Sequence, residues 1–132
     1  MMIYNNRSKQ IFLLLGDMAI FYISLFISLT IRYESLPSYD IWKIHFFPFL
    51  VVNILWLTIF YITEMYDINK LNFTSSLMQV IKVMAVGFAA AVLLFYLIPY
   101  FKIAPKINLL IDIIIVSFLI WIWRKIFLTI AV

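Results

Sequence analysis

The chain has 132 residues, of which 67% are hydrophobic and 12% charged, against roughly half apolar and a quarter charged in ordinary soluble domains, so a water-soluble core is excluded and a single transmembrane domain over 1–132 is expected. The formal charge is +4, but the cations stand singly at the ends of apolar runs, where lysine and arginine meet lipid headgroups; the partner implied is the lipid bilayer, with no nucleic acid. There is no cysteine, which removes disulfide frameworks, thiolate metal sites and redox couples.

The first apolar run predicts a helix over about 11–31. It exceeds the ~7–15 residues of a signal-peptide core and ends in Arg32-Tyr33-Glu34 without a small-x-small cleavage site, so it is retained as a membrane helix. At about 100° per residue, Asp17, Ser24 and Ser28 form one polar line on it, which faces inward. A loop over Arg32–Lys43 holds Ser35, Pro37 and Ser38. The second helix is predicted over 44–62, with Pro48 in its opening turn, where a missing N–H is harmless. After a polar stretch, Ser76 with Gln79 three residues on forms a capping-box pattern that starts a third helix over 77–98. Ala85 with Ala89, and Gly87 with Ala91, supply the small-residue spacing of closely packed membrane helices. Pro99 and Pro105 bracket an aromatic turn at Tyr100–Ala104, and the fourth helix is predicted over 107–127. It closes with Trp121, Trp123, Arg124 and Lys125, an aromatic-then-cationic stop that anchors topology.

Each run is near the ~20 residues needed to span a bilayer, so the expected fold is an all-α, integral membrane four-helix bundle. With both termini cytoplasmic, Arg7, Lys9, Lys70, Arg124 and Lys125 fall inside, against Arg32, Lys43, Lys102 and Lys106 outside, a modest positive-inside bias. No internal repeat or pair of broken helices supports a self-contained transporter.

Besides Arg124 and Lys125 at the close of the fourth, three charged residues lie within the runs: Asp17, Lys82 and Asp112. A charge at mid-helix costs about 2.5–3.5 kcal/mol on insertion scales, so such groups face other helices, and packing or pairing is the favoured role for both aspartates. Asp17 and Lys82 enter from the same side to a depth of roughly 8–9 Å, which predicts a contact between helices one and three; Asp112 is expected to look to Arg32 or Lys106. His45 is the only histidine and lacks co-ligands at metal-binding spacing. With two glycines in all, glycine-rich phosphate loops and nucleophile elbows are excluded. No catalytic, cofactor-binding or metal residue is expected, and this chain is not expected to be an enzyme.

The ordering of its motifs resembles a family. Leu15-Gly16-Asp17 early in the first helix, Glu64-Met65-Tyr66-Asp67 just after the second, and a fourth helix entered through Ile103-Ala104-Pro105-Lys106-Ile107-Asn108-Leu109 and left through Trp123-Arg124-Lys125 are similar to the N-terminal membrane region of bacterial polyprenyl-phosphate sugar-1-phosphate transferases. The resemblance covers almost the whole chain. It implies a membrane-anchor and assembly domain in the bacterial cytoplasmic (inner) membrane, serving an enzyme that moves a sugar phosphate from a nucleotide-sugar to undecaprenyl phosphate in exopolysaccharide or O-antigen biosynthesis. In that family the catalytic domain, with its Asp-Glu pair and magnesium, lies further C-terminal, and the implied partners are polyprenyl phosphate and a cytoplasmic catalytic domain or subunit. A related four-helix region precedes the membrane-bound nucleotide-sugar dehydratases and epimerases of capsule synthesis; the Pro-Lys-x-Asn entry to helix four favours the transferase. A different class of function, a stand-alone four-helix transporter or lipid-linked-sugar flippase, would make Asp17 a coupling residue.

Overall fold

The computed structural model describes residues 6–97 and 103–131. Among them the chain forms no strand; its elements are α1 (Asn6–Tyr33), α2 (Tyr39–Ile62), a 3-10 turn (Ile68–Lys70), α3 (Leu71–Thr74), α4 (Leu77–Leu97) and α5 (Ile103–Ala131). α1, α2, α4 and α5 are each long and apolar enough to cross a membrane. The molecule is a multi-pass membrane protein built from a helical bundle, with α3 a single turn between the second and third spanning helices.

Several helix ends differ from the hydropathy limits: α1 spans Asn6–Tyr33, not 11–31, and α5 runs on to Ala131, not 127. α2 begins at Tyr39, not 44, because Ser38 caps it: its Oγ accepts from Ile41 N at 3.3 Å and its carbonyl from Trp42 N at 2.9 Å. Pro48 therefore lies buried inside α2 and not in its first turn. There it removes one helical hydrogen bond, a loss that membrane helices offset through neighbouring helices and local backbone adjustment. α5 begins at Ile103, not 107, placing Pro105 in its first turn, where no intrahelical donor is needed. Most of the expected turn at Tyr100–Ala104, with Lys102, lies outside the described residues.

α2 ends in a Schellman motif. Met65 N donates to Phe60 O at 2.9 Å and Glu64 N to Tyr61 O at 3.2 Å, while Glu64 takes a left-handed φ of 64°. This reversal turns Met65 and Tyr66 back into the bundle. The connection continues through a 3-10 turn capped by Asp67, whose Oδ1 accepts from Asn69 N at 3.0 Å. α4 then starts on Ser76, whose Oγ accepts from Gln79 N at 3.3 Å.

The most extensive interface joins α1 to α5. On α5, Asn108, Asp112, Val116, Ile120 and Arg124 recur every fourth residue and all are buried. They face a buried row of α1 containing Leu13, Asp17, Phe21, Ser24 and Ser28. The helices are antiparallel: Arg124 meets Asp17 at one end and Asn108 meets Ser28 at the other. α2 packs on α4 where Trp56 Nε1 donates to Gly87 O at 3.0 Å; a Cβ at Gly87 would lie 3.0 Å from the indole. Of the two small-residue pairs, Gly87 and Ala91 are buried while Ala85 and Ala89 are exposed. Aromatic contacts such as Phe21 with Trp56, ring centres 5.5 Å apart, join α1 to α2.

Candidate functional site

The chemistry-bearing residues concentrate at the end of the bundle where α1 begins and α5 ends. Arg124 is fully buried there. Its Nη2 donates to Asp17 Oδ2 at 2.7 Å, its Nη1 donates to the carbonyl of Met65, and its guanidinium carbon lies 5.4 Å from the ring centre of Phe60 and 5.2 Å from that of Tyr66. Tyr66 OH donates to the same Asp17 oxygen at 2.6 Å, and Gln10 Nε2 donates to Tyr66 O at 2.7 Å. The cluster thus ties together α1, the end of α2, the connection before α4, and α5. An arginine suits this place because it stays ionised and offers several donors in a rigid plane, so that one residue satisfies a carboxylate and a backbone carbonyl at once.

Each neighbour is positioned by its own local chemistry. The Schellman turn aims the Met65 carbonyl at Arg124. Gly16 makes room for the indole of Trp123: a Cβ there would lie 2.1 Å from Cζ2. Trp123 also packs on Phe12, with ring centres 5.8 Å apart, which brings α5 close enough for Arg124 to reach Asp17. Burial, and then the adjoining Asp17 carboxylate, push the Tyr66 phenol well above its ordinary pKa, so it remains a hydrogen-bond donor. Beside Tyr66 runs an apolar groove of about 240 Å³, lined by Gln10, Ile11, Leu14, Leu57, Tyr61 and Tyr66.

This geometry corrects the expected pairing of Asp17 with Lys82. Lys82 is exposed, because α4 turns its Gly87 and Ala91 face to the bundle and Lys82 stands five residues, about 140°, round from Gly87. α5, and not α4, lies against the polar row of α1. Arg124 also departs from its expected place among the headgroup-facing anchors: it turns inward, whereas its neighbour Lys125 is exposed and Trp121 and Trp123 are half-buried.

Asp112 does not make the expected contact with Arg32. It is 1% exposed, and neither carboxylate oxygen has a hydrogen-bond partner among the described residues; Arg32 lies over the ring of Tyr33, and the side chain of Lys106 is outside the described residues. Asn108, close by on α5, donates from Nδ2 to Ser28 Oγ at 2.9 Å. Sequence reasoning did not single out Asn108 as a bonding residue, although its spacing of four from Asp112 marks it as sharing that face. His45 is buried in α2, its Nδ1 2.8 Å from Ile41 O, and among the described residues no group of three His, Asp or Glu is placed to hold a metal ion.

No protein-family model matches the chain, nor does any curated protein or solved structure.

Proposed function

We propose that the chain is the membrane-anchor and assembly domain of an undecaprenyl-phosphate sugar phosphotransferase of exopolysaccharide or O-antigen synthesis, held in the bacterial inner membrane with both ends in the cytoplasm. The observation that carries this reading is a convergence. Asp17, Tyr66 and Arg124, from three of the motifs similar to those of that family and separated by as many as 107 positions, meet in one buried cluster. Hydrophobic composition alone gives no reason for these three to coincide. In this reading the cluster holds the end of α5 in a set position, so that a cytoplasmic catalytic domain or subunit is presented to the membrane surface, and the groove beside Tyr66 offers apolar surface to the isoprenoid chain of the carrier.

The test compares membranes from cells with and without this chain for transfer of radiolabelled sugar phosphate from a nucleotide-sugar to undecaprenyl phosphate. Deletion should abolish transfer; the wild-type chain should restore it and Asp17→Asn should not, while the purified chain alone should show no turnover. Unchanged transfer after deletion, or turnover by the chain alone, would overturn the proposal. A small transporter or flippase is the second reading, favoured by the buried polar row Ser24, Ser28, Asn108 and Asp112; it predicts intact transfer with translocation of the lipid-linked sugar lost.

A further inference from the structure

The other end of the α1–α5 interface contains orphaned polar atoms. Ser24 Oγ, Asn108 Oδ1 and both carboxylate oxygens of Asp112 lack hydrogen-bond partners among the described residues, and none of these residues is more than 1% exposed. The helical register brings them together. The Asn108 to Ser28 hydrogen bond, 2.9 Å long, pins α5 to α1 at one level. Because the helices are antiparallel, one turn back from Ser28 to Ser24 and one turn forward from Asn108 to Asp112 advance in the same direction by about 6 Å, and residues four apart share a face. Ser28 is already engaged, accepting from Asn108 and donating to Leu25 O at 2.8 Å.

All four orphans are oxygens, and two of them belong to one carboxyl group, that of Asp112. An unsatisfied buried polar group ordinarily costs about 1–3 kcal/mol, and a lone carboxylate more, so four within one helical turn of each other are best explained by a ligand that they share. Oxygen-only ligation suits a hard cation. A single carboxylate balances a single positive charge, whereas a divalent ion would leave excess charge in a low-dielectric interior and generally takes about six or more oxygens. Arg124 does not neutralise Asp112: it is engaged by Asp17 and Met65 and stands twelve residues, about 18 Å, along α5.

We propose that Ser24, Asn108 and Asp112 form an intramembrane binding site for a small monovalent cation of the size of Na⁺. The site is independent of the anchor reading and stands whichever function the bundle serves. Its binding ties α1 to α5 at the end remote from the Asp17 and Arg124 cluster.

The experiment is thermal unfolding of the purified full chain in detergent, in NaCl against choline chloride at equal ionic strength. A ligand that binds only the folded state raises its stability, so NaCl should raise the wild-type Tm by roughly 4 °C or more, with the shift absent in Asp112→Asn and diminished in Ser24→Ala. Should Asp112→Asn fail to fold, the wild type decides through modification of Asp112 by a lipophilic carbodiimide, which NaCl should slow about tenfold at tenfold excess over Kd. Equal Tm in the two salts, an undiminished Na⁺ shift in Asp112→Asn, or carbodiimide modification indifferent to Na⁺ would overturn the site; the last result would identify Asp112 as an acid that binds a proton only.

Discussion

Arg124 and Asp17 form a buried ion pair in which each partner is fully shielded, and the consequence is asymmetric. Removing one member strands the other in a place without water, a loss of about 3–5 kcal/mol, whereas removing both leaves no bare charge. Asp17→Asn and Arg124→Met should therefore each lower the thermal stability of the purified protein sharply, and the double variant should lose clearly less than the sum. Lys82→Met, at an exposed site, should change stability by no more than about 0.5 kcal/mol. Additive losses from the first two would mean that the pair contributes no coupling. Tyr66 makes a pH-dependent contribution to the same cluster. Burial and the Asp17 charge raise its pKa above the ordinary phenol value of about 10, so the folded state holds the proton more tightly than the unfolded state. Its contribution is fully present below that pH and diminishes as pH rises above it. The stability gap between wild type and Tyr66→Phe should accordingly narrow above about pH 10; a gap that widens there would contradict the neutral-donor role.

At the scale of helices, the contact between α1 and α5 depends on a missing side chain. The indole of Trp123 occupies the space that a Cβ on Gly16 would take, and the same close approach carries Arg124 to Asp17. Gly16→Ala would force a rigid ring out of its place, at a cost of about 1–3 kcal/mol, despite the better helix propensity of alanine. Introducing Trp123→Leu into Gly16→Ala should recover part of that loss, measured by unfolding or by protease resistance in detergent. If Gly16→Ala instead stabilises the protein, the two helices do not meet through that glycine. The α2–α4 interface follows the same logic at Gly87, where the indole of Trp56 both fills the gap and donates to the glycine carbonyl.

For the whole molecule, the bonds from Gln10 to Tyr66 and from Arg124 to Met65 place the start of α1, the connection over 63–76 and the end of α5 at one end of the bundle. Reporter fusions after Lys9 and after Asn69 should thus report the same compartment, expected to be the cytoplasm, and a fusion after Ser35 the opposite one. Opposite signals at Lys9 and Asn69 would contradict this arrangement. The bundle therefore has a closed polar cluster at one end and a group of orphaned oxygens nearer the other, joined by the apolar residues Val116 and Ile120.

The sequence by itself determined that the protein is helical and membrane-bound, because runs of about twenty apolar residues admit little else in a bilayer. It also determined the inward line of Asp17, Ser24 and Ser28, all three fully buried, since a periodicity of 3.6 is a local property that survives any packing. The start of α2 was less legible, because Ser38 sets it through a side-chain cap to which hydropathy is blind, whereas its end at Ile62 falls where hydropathy put it. The partner of Asp17 was decided only by the tertiary structure. Depth along the membrane normal pointed to Lys82 and left Arg124 among the headgroup-facing anchors, whereas the actual pairing of Asp17 with Arg124 follows from which helix lies beside α1. That neighbour is set by the steric fit of Gly16 to Trp123 and of Gly87 to Trp56, contacts between residues far apart in the chain whose meeting no local pattern records.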